Sequence, residues 1–333
     1  MDARLTWLRR SVMRAPRQAF VALIGLLVAL ALVGTLATVP VSARAAKACR
    51  VTDRATGRTY GRLQQAVDAA RSSGHRFAVK GTCHGRAVLD EDATIVGVST
   101  RKAGGAVLDA DREGAVITVR EGVSVTIIDL SIREGRGRRG GGIVNRGSLV
   151  LRDVDLFRNA AKGDGGGVWN GPLGKLVLDG ETSITGNRSR TQGGGVHNVG
   201  ILTLNDQARI SGNNSNFRGG GVSNDGAVRM NGSSVVSGNS TSLLGGGVYT
   251  WRGPVTLSGS ASINANWATD GGGVYIEGGN LSLNDAAAIS GNTAADDMGG
   301  GGVTQKGGVL TNVSCGLNVR ANAPVDCVIA VPL

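Results

Sequence analysis

The residues best suited to chemistry in this chain come in columns, each member returning after a similar interval. One column follows a repeated Gly-Gly-Gly-hydrophobic unit and reads Val144, Trp169, His197, Ser223, Tyr249, Tyr275 and Thr304. Rings held in a row on a solvent face stack on sugars or anchor a partner protein, so Trp169, His197, Tyr249 and Tyr275 are candidate ligand-binding residues. A second column precedes the same unit and reads Arg139, Asp164, Gln192, Arg218, Leu244 and Asp270, with Asp296 and Asp297 near its end. Closely spaced carboxylates beside a cation are the material of acid–base catalysis. Only Asp270 with Asp296 or Asp297 makes such a grouping, with Arg218 two repeats away, and it falls short of a recognisable catalytic site. A solvated turn is the reading favoured for it. No Ser/His/Asp or Cys/His arrangement stands out. The glycine-rich segments recur in every repeat with no helix behind them, so they are not phosphate loops.

The elements that carry these columns follow from the period. The hydrophobic residue of the triple-glycine unit recurs at intervals of 25, 28, 26, 26, 26 and 29 residues, from Ile143 to Val303. A second marker, a hydrophobic residue three before an Asn, keeps time with it and ends on Asn159, Asn187, Asn213, Asn239, Asn266 and Asn292. Between the two lie short alternating segments such as Leu176/Leu178 and Leu202/Leu204. Three short strand-like segments per repeat, separated by turn residues and without helical periodicity, predict an all-β stacked solenoid. Its form is a single-stranded parallel β-helix with three strands and about 26 residues per coil. Strand side chains alternate, so the triple-glycine hydrophobic points inward and the next residue outward. Small residues at Val154, Thr182, Ala208, Ser234, Ala261 and Ala287 suit a narrow interior corner. The asparagines are expected to stack, each amide donating to one neighbour and accepting from the other. The sequons at Asn187, Asn213 and Asn239 fall on that column and are read as stacking residues rather than glycan sites.

Composition agrees. Of 333 residues 55 are Gly and only 3% are aromatic, which suits a thin interior of Val, Ile, Leu and Ala. Residues 1–45 read as a signal peptide or a membrane anchor. Arg4, Arg9, Arg10, Arg14 and Arg17 precede an apolar run from Ala19 to Val39, and Ala43-Arg44-Ala45 offers a cleavage site. Either way the body of the chain is expected outside the cytoplasm, extracellular or at the cell surface. Removing residues 1–45 takes away six Arg and one Asp from a net charge of +11 and leaves about +6. That basicity favours an anionic envelope surface or polysaccharide. The cysteines are expected to pair as Cys49–Cys83 and Cys315–Cys327, closing the two ends where a solenoid frays. Metal ligation is the rival reading. It is weakened by the lack of any CxxC pair, so no metal and no cofactor is expected.

Residues 46–75 read as an N-terminal cap in which Leu63, Ala66, Val67 and Ala70 share one face of an amphipathic helix. The coils then span 76–314, and 315–333 form a C-terminal cap closed by the second disulfide. Residues 133–142, Arg-Glu-Gly-Arg-Gly-Arg-Arg-Gly-Gly-Gly, make a basic loop, read as a solvated turn in preference to a contact for an anionic polymer.

The Leu-Gln-x-Ala-Val-x-Ala-Ala helix, the Val79-Lys80-Gly81-Thr82-Cys83 strand and the Gly-Gly-Gly-Val-x-Asn and Ile-x-Gly-Asn coils resemble the right-handed parallel β-helix proteins of the pectin-lyase-like superfamily. The coils, over about residues 60 to 320, are similar to polymorphic outer-membrane protein repeats. Here Ile, Leu or Val replaces the Phe of that family's second signature, and the chain reaches Leu333 without a C-terminal membrane barrel. The resemblance therefore implies a right-handed β-helix and not an outer-membrane autotransporter. It also raises the polysaccharide lyase or glycoside hydrolase, which would need a Ca²⁺-binding acidic cluster or paired carboxylates. The sequence favours a non-enzymatic binding module for carbohydrate or a cell-envelope partner, with such an enzyme as the alternative and a plain spacer as a third reading. Nucleic acid is not an expected partner, and a membrane is one only through an uncleaved N-terminal segment.

Overall fold

Residues one period apart are vertical neighbours. Val168, Val196, Val222, Val248 and Val274 pair in register along one parallel sheet, and the residue following each pairs likewise. The computed structural model describes residues 48–70, 74–98, 105–296, 299–323 and 325–329. The expected signal or anchor segment, 1–45, lies outside them. Among the described residues no helix is long and apolar enough to cross a membrane.

The central coils run through four sheets in turn. The first holds the strands after the triple glycines, such as Val196–Asn198. The second holds the alternating segments, such as Ile201–Leu204, and the third the segments before the Asn, such as Arg209–Ser211. These are the three expected strands. A fourth sheet of two-residue strands, such as Asn214–Ser215, follows the Asn. Among the described residues the sheets have 10, 12, 10 and 7 strands. Parallel pairing at about 4.8 Å per coil means that every core position stacks on a like residue above and below. The inward column of the first sheet, Ile143 to Val303, is fully buried, as are Leu156, Ile184, Ile210, Val236 and Ile263 of the third. The corner column from Val154 to Ala287 is buried as well.

Buried amides hold the corners. Asn159 donates through Nδ2 to Oδ1 of Asn187 at 3.0 Å, and the same rung repeats through Asn213, Asn239, Asn266 and Asn292 to Asn322. Each Oδ1 also accepts the backbone N–H of the preceding rung, and each of Asn187 to Asn292 also donates Nδ2 to a backbone carbonyl, as Asn213 does to Ile184. With these amides buried and engaged on both sides, the three sequons offer no free side chain.

The ends are closed by local chain. Helix Leu63–Ala69 buries Leu63, Ala66 and Val67, and Gln64 Oε1 accepts the N–H of Val88 on the first strand of the first sheet. Strand Arg50–Asp53 pairs antiparallel with His75–Lys80, and Cys49 is bonded to Cys83. Cys315 is bonded to Cys327, while Val319–Arg320 and Val325–Ile329 extend two sheets by one further rung. Two disulfides and no free cysteine fit an oxidising compartment.

Candidate functional site

The column after the triple glycines points away from the core, but it is not a solvent strip. Trp169 is 8% exposed, His197 4%, Tyr249 1% and Tyr275 7%, so the expected row of open rings is corrected. Two causes combine. In-register pairing stacks Tyr249 on Tyr275 with centroids 6.0 Å apart, so each covers one face of the other. The chain entering each strand also folds over that strand's own outward side chain. A Cβ placed on Gly245 or Gly271 would lie within 2.8 Å of the Cβ of Tyr249 or Tyr275. Among the described residues Trp251, Trp267 and Phe217 are the exposed large rings, at 42%, 43% and 49%.

Two members of the candidate catalytic grouping, Arg218 and Asp270, are engaged by neighbouring side chains. Arg218 donates to the hydroxyl of Tyr249, 2.9 Å away, and lies over its ring; Tyr249 in turn donates to Glu277. Burial, with the Glu277 bond adding to it, raises the Tyr249 hydroxyl far above the ordinary tyrosine range, so it stays a donor. Asp270 accepts the Thr304 hydroxyl, and Asp297 lies outside the described residues. Glu277, which the sequence reading passed over, is the carboxylate that engages Arg218. One further cluster, His84, Asp109 and Asp111, has donor atoms within 4.8 Å of one another, as a cation would need. Its atoms already engage protein: His84 Nδ1 lies 2.9 Å from Asp111, and Asp109 accepts from Arg133.

His197 sits in the same column with Nε2 3.8 Å from Asp225 and Nδ1 unbonded among the described residues. Burial holds its pKa below the usual histidine value, against the pull of Asp164 and Asp225. The unfolded histidine, titrating near pH 6.5, therefore binds its proton more readily than the folded one. Its contribution to stability is intact above that pH and is lost as pH falls through the folded value. The melting temperature should drop between pH 7.5 and 5.5, and by less in His197→Gln. Equal drops in the two proteins would assign the effect to another group.

The open site lies at the N-terminal coils, where the floor of the first sheet meets the cap. Val88, Thr118, Val144 and Trp169 follow one another up that floor, one per coil. Around them is a cleft of about 970 Å³ lined by Arg62, Arg86, Arg136, Arg138, Arg139 and Arg146, with Glu113 as its one carboxylate among the described lining residues. Three of these arginines come from the basic run 133–142. That run is not a free turn, since Arg136–Gly137 is the first strand of the fourth sheet. Trp169 braces the wall, with the guanidinium of Arg139 at 5.5 Å and that of Arg146 at 5.7 Å from its ring centroid. Gly171 makes room for the ring edge, for a Cβ there would be 2.8 Å from Trp169 Cη2. Arg139 approaches Asp164 at 3.8 Å; among the described residues the other five arginines have no carboxylate within ion-pair distance. Guanidinium groups take carboxylate or phosphate oxygens in paired hydrogen bonds, so this arrangement can bind an anion.

Comparison with known proteins gives no match: no family model, no curated protein and no solved structure aligns with the chain.

Proposed function

We propose that the chain is an exported, non-enzymatic binding module of the pectin-lyase-like kind, and that its ligand is an anionic carbohydrate of a cell envelope. The observation that carries this reading is the cleft of six arginines, with one carboxylate among its described lining residues, braced by Trp169. Two disulfides and an N-terminal stretch with the make-up of an export signal support the location. Among the described lining residues Glu113 is the one carboxylate, where a glycosidase uses a pair, and this supports binding over hydrolysis. The test is a panel of soluble glycans. Oligogalacturonate and phosphate-bearing glycans should bind the purified chain, and neutral glucans and mannans should not. Preference for a neutral glycan, or release of unsaturated or reducing sugars from any of them, would reject this reading.

A further inference from the structure

The cleft does not end at Arg136. That residue also lines a second groove of about 450 Å³, on the fourth sheet, whose other cations are Lys162, Arg188 and Arg190. The register of this sheet arranges the charges. Arg136, Ala160 and Arg188 are successive members of one outward column, and backbone bonds set Arg138, Lys162 and Arg190 side by side in the next. Five cations thus occupy three successive coils, spaced about 5 Å from coil to coil. Among the described residues none of the five has a carboxylate within ion-pair distance.

Stacked like charges repel, and in-register strands make the repulsion direct. The fold does not require it. The same columns continue in the next two coils as Asn214 with Asn216 and Ser240 with Ser242, which carry no charge. A cationic plate confined to the coils that share Arg136 with the cleft is what a ligand with repeated negative charges would neutralise.

We infer that cleft and plate form one track for a linear anionic glycan. Its leading sugars lie in the cleft, and the following ones turn over Arg136 onto the plate of Lys162, Arg188 and Arg190. This rests on the binding reading above and adds to it a requirement for length. A short fragment reaches only the cleft, whereas a long one engages both surfaces and gains the second set of contacts without a second association step.

The experiment measures affinity of the full chain for a heparin-derived tetrasaccharide and dodecasaccharide, with linear polyphosphate as a second probe that separates phosphate from sugar-borne charge. The key variant is Arg188→Asn/Arg190→Asn, which copies the residues of the next coil and so preserves the stack; circular dichroism checks it. In the wild type the dodecasaccharide should bind at least about tenfold more tightly than the tetrasaccharide. The variant should lose that advantage and keep its tetrasaccharide affinity. Equal affinity for the two lengths, or a variant that retains the length advantage, would overturn the track and leave the cleft standing. Failure of both heparin fragments to bind would remove both readings. Polyphosphate binding as tightly as the dodecasaccharide at equal charge would overturn the assignment to a glycan.

Discussion

Gly220→Ala is expected to prevent folding, although it adds one methyl group to a chain of 333 residues. Gly220 is the middle residue of the fourth triple glycine. A Cβ there would lie 2.5 Å from the carbonyl oxygen of Ser240 and 2.6 Å from that of Gly246, both backbone atoms of the next coil. Neither can swing aside. The coils are held at that spacing by Gly220 N–H to Gly245 O at 3.2 Å and Gly221 N–H to Gly246 O at 3.1 Å. Relief means parting two coils and giving up several such bonds, a cost of about 5 kcal/mol or more from overpacking and lost hydrogen bonds together. Gly238→Ala is the matched control. Gly238 has φ +60, but its nearest neighbour is Gly212 N at 3.9 Å, so the substitution costs only the backbone preference, about 1 kcal/mol. Urea unfolding should show the control nearly as stable as the wild type and Gly220→Ala without a cooperative transition. Equal losses would mean that close approach of coils does not set the glycine pattern.

Asn213→Ala should be the next most damaging change. Its Oδ1 accepts from both the backbone N–H and Nδ2 of Asn187, and its Nδ2 donates to Ile184 O and Asn239 Oδ1. Truncation leaves the Asn187 N–H and the Ile184 carbonyl without these partners in a corner that is 1% exposed at Asn213. At about 1–3 kcal/mol for each orphaned group, the loss is on the order of 4 kcal/mol. Asn205→Ala, on a partly exposed turn where Asn205 accepts from Asn231 and hydrogen-bonds the Asp179 carboxylate, should cost less, because water can replace those partners. A solenoid passes stability from neighbour to neighbour, so a break at this central rung should also broaden the unfolding transition. If Asn213→Ala unfolds at the wild-type urea concentration, the ladder is not what holds the corner.

The columns were legible because stacking converts sequence period into vertical contact. Reading Ile210 and Asn213 against Val236 and Asn239 is enough to pair them. A second ladder was within reach of the same reasoning. Asn145, Asn170, Asn198 and Asn224 close the repeated Gly-Gly-Gly-hydrophobic-x-Asn unit, and neighbouring amides bond at 2.7 Å from coil to coil. The burial of Trp169, His197, Tyr249 and Tyr275 was not legible, because alternation tells inward from outward but not what a neighbouring loop covers. The first glycine of six of the seven units takes positive φ, as at Gly193 with φ +66, and this lays the incoming chain across the column. The cleft was hidden for a different reason. Arg62 comes from the cap, Arg86 and Glu113 from coils without the triple glycine, and Arg146 from the corner beyond the first sheet. Period alone aligns none of these with Arg138.

The claim that anionic ligands enter this cleft is tested most directly by reversing two of its charges that have no ion-pair partner among the described residues. Arg86→Glu/Arg138→Glu alters no core residue, and titration with oligogalacturonate at low and at high salt reads the result. The account expects about a hundredfold loss of affinity at low salt, together with a flatter dependence on salt than the wild type shows. A double variant that binds as tightly as the wild type, with the same salt dependence, would contradict it.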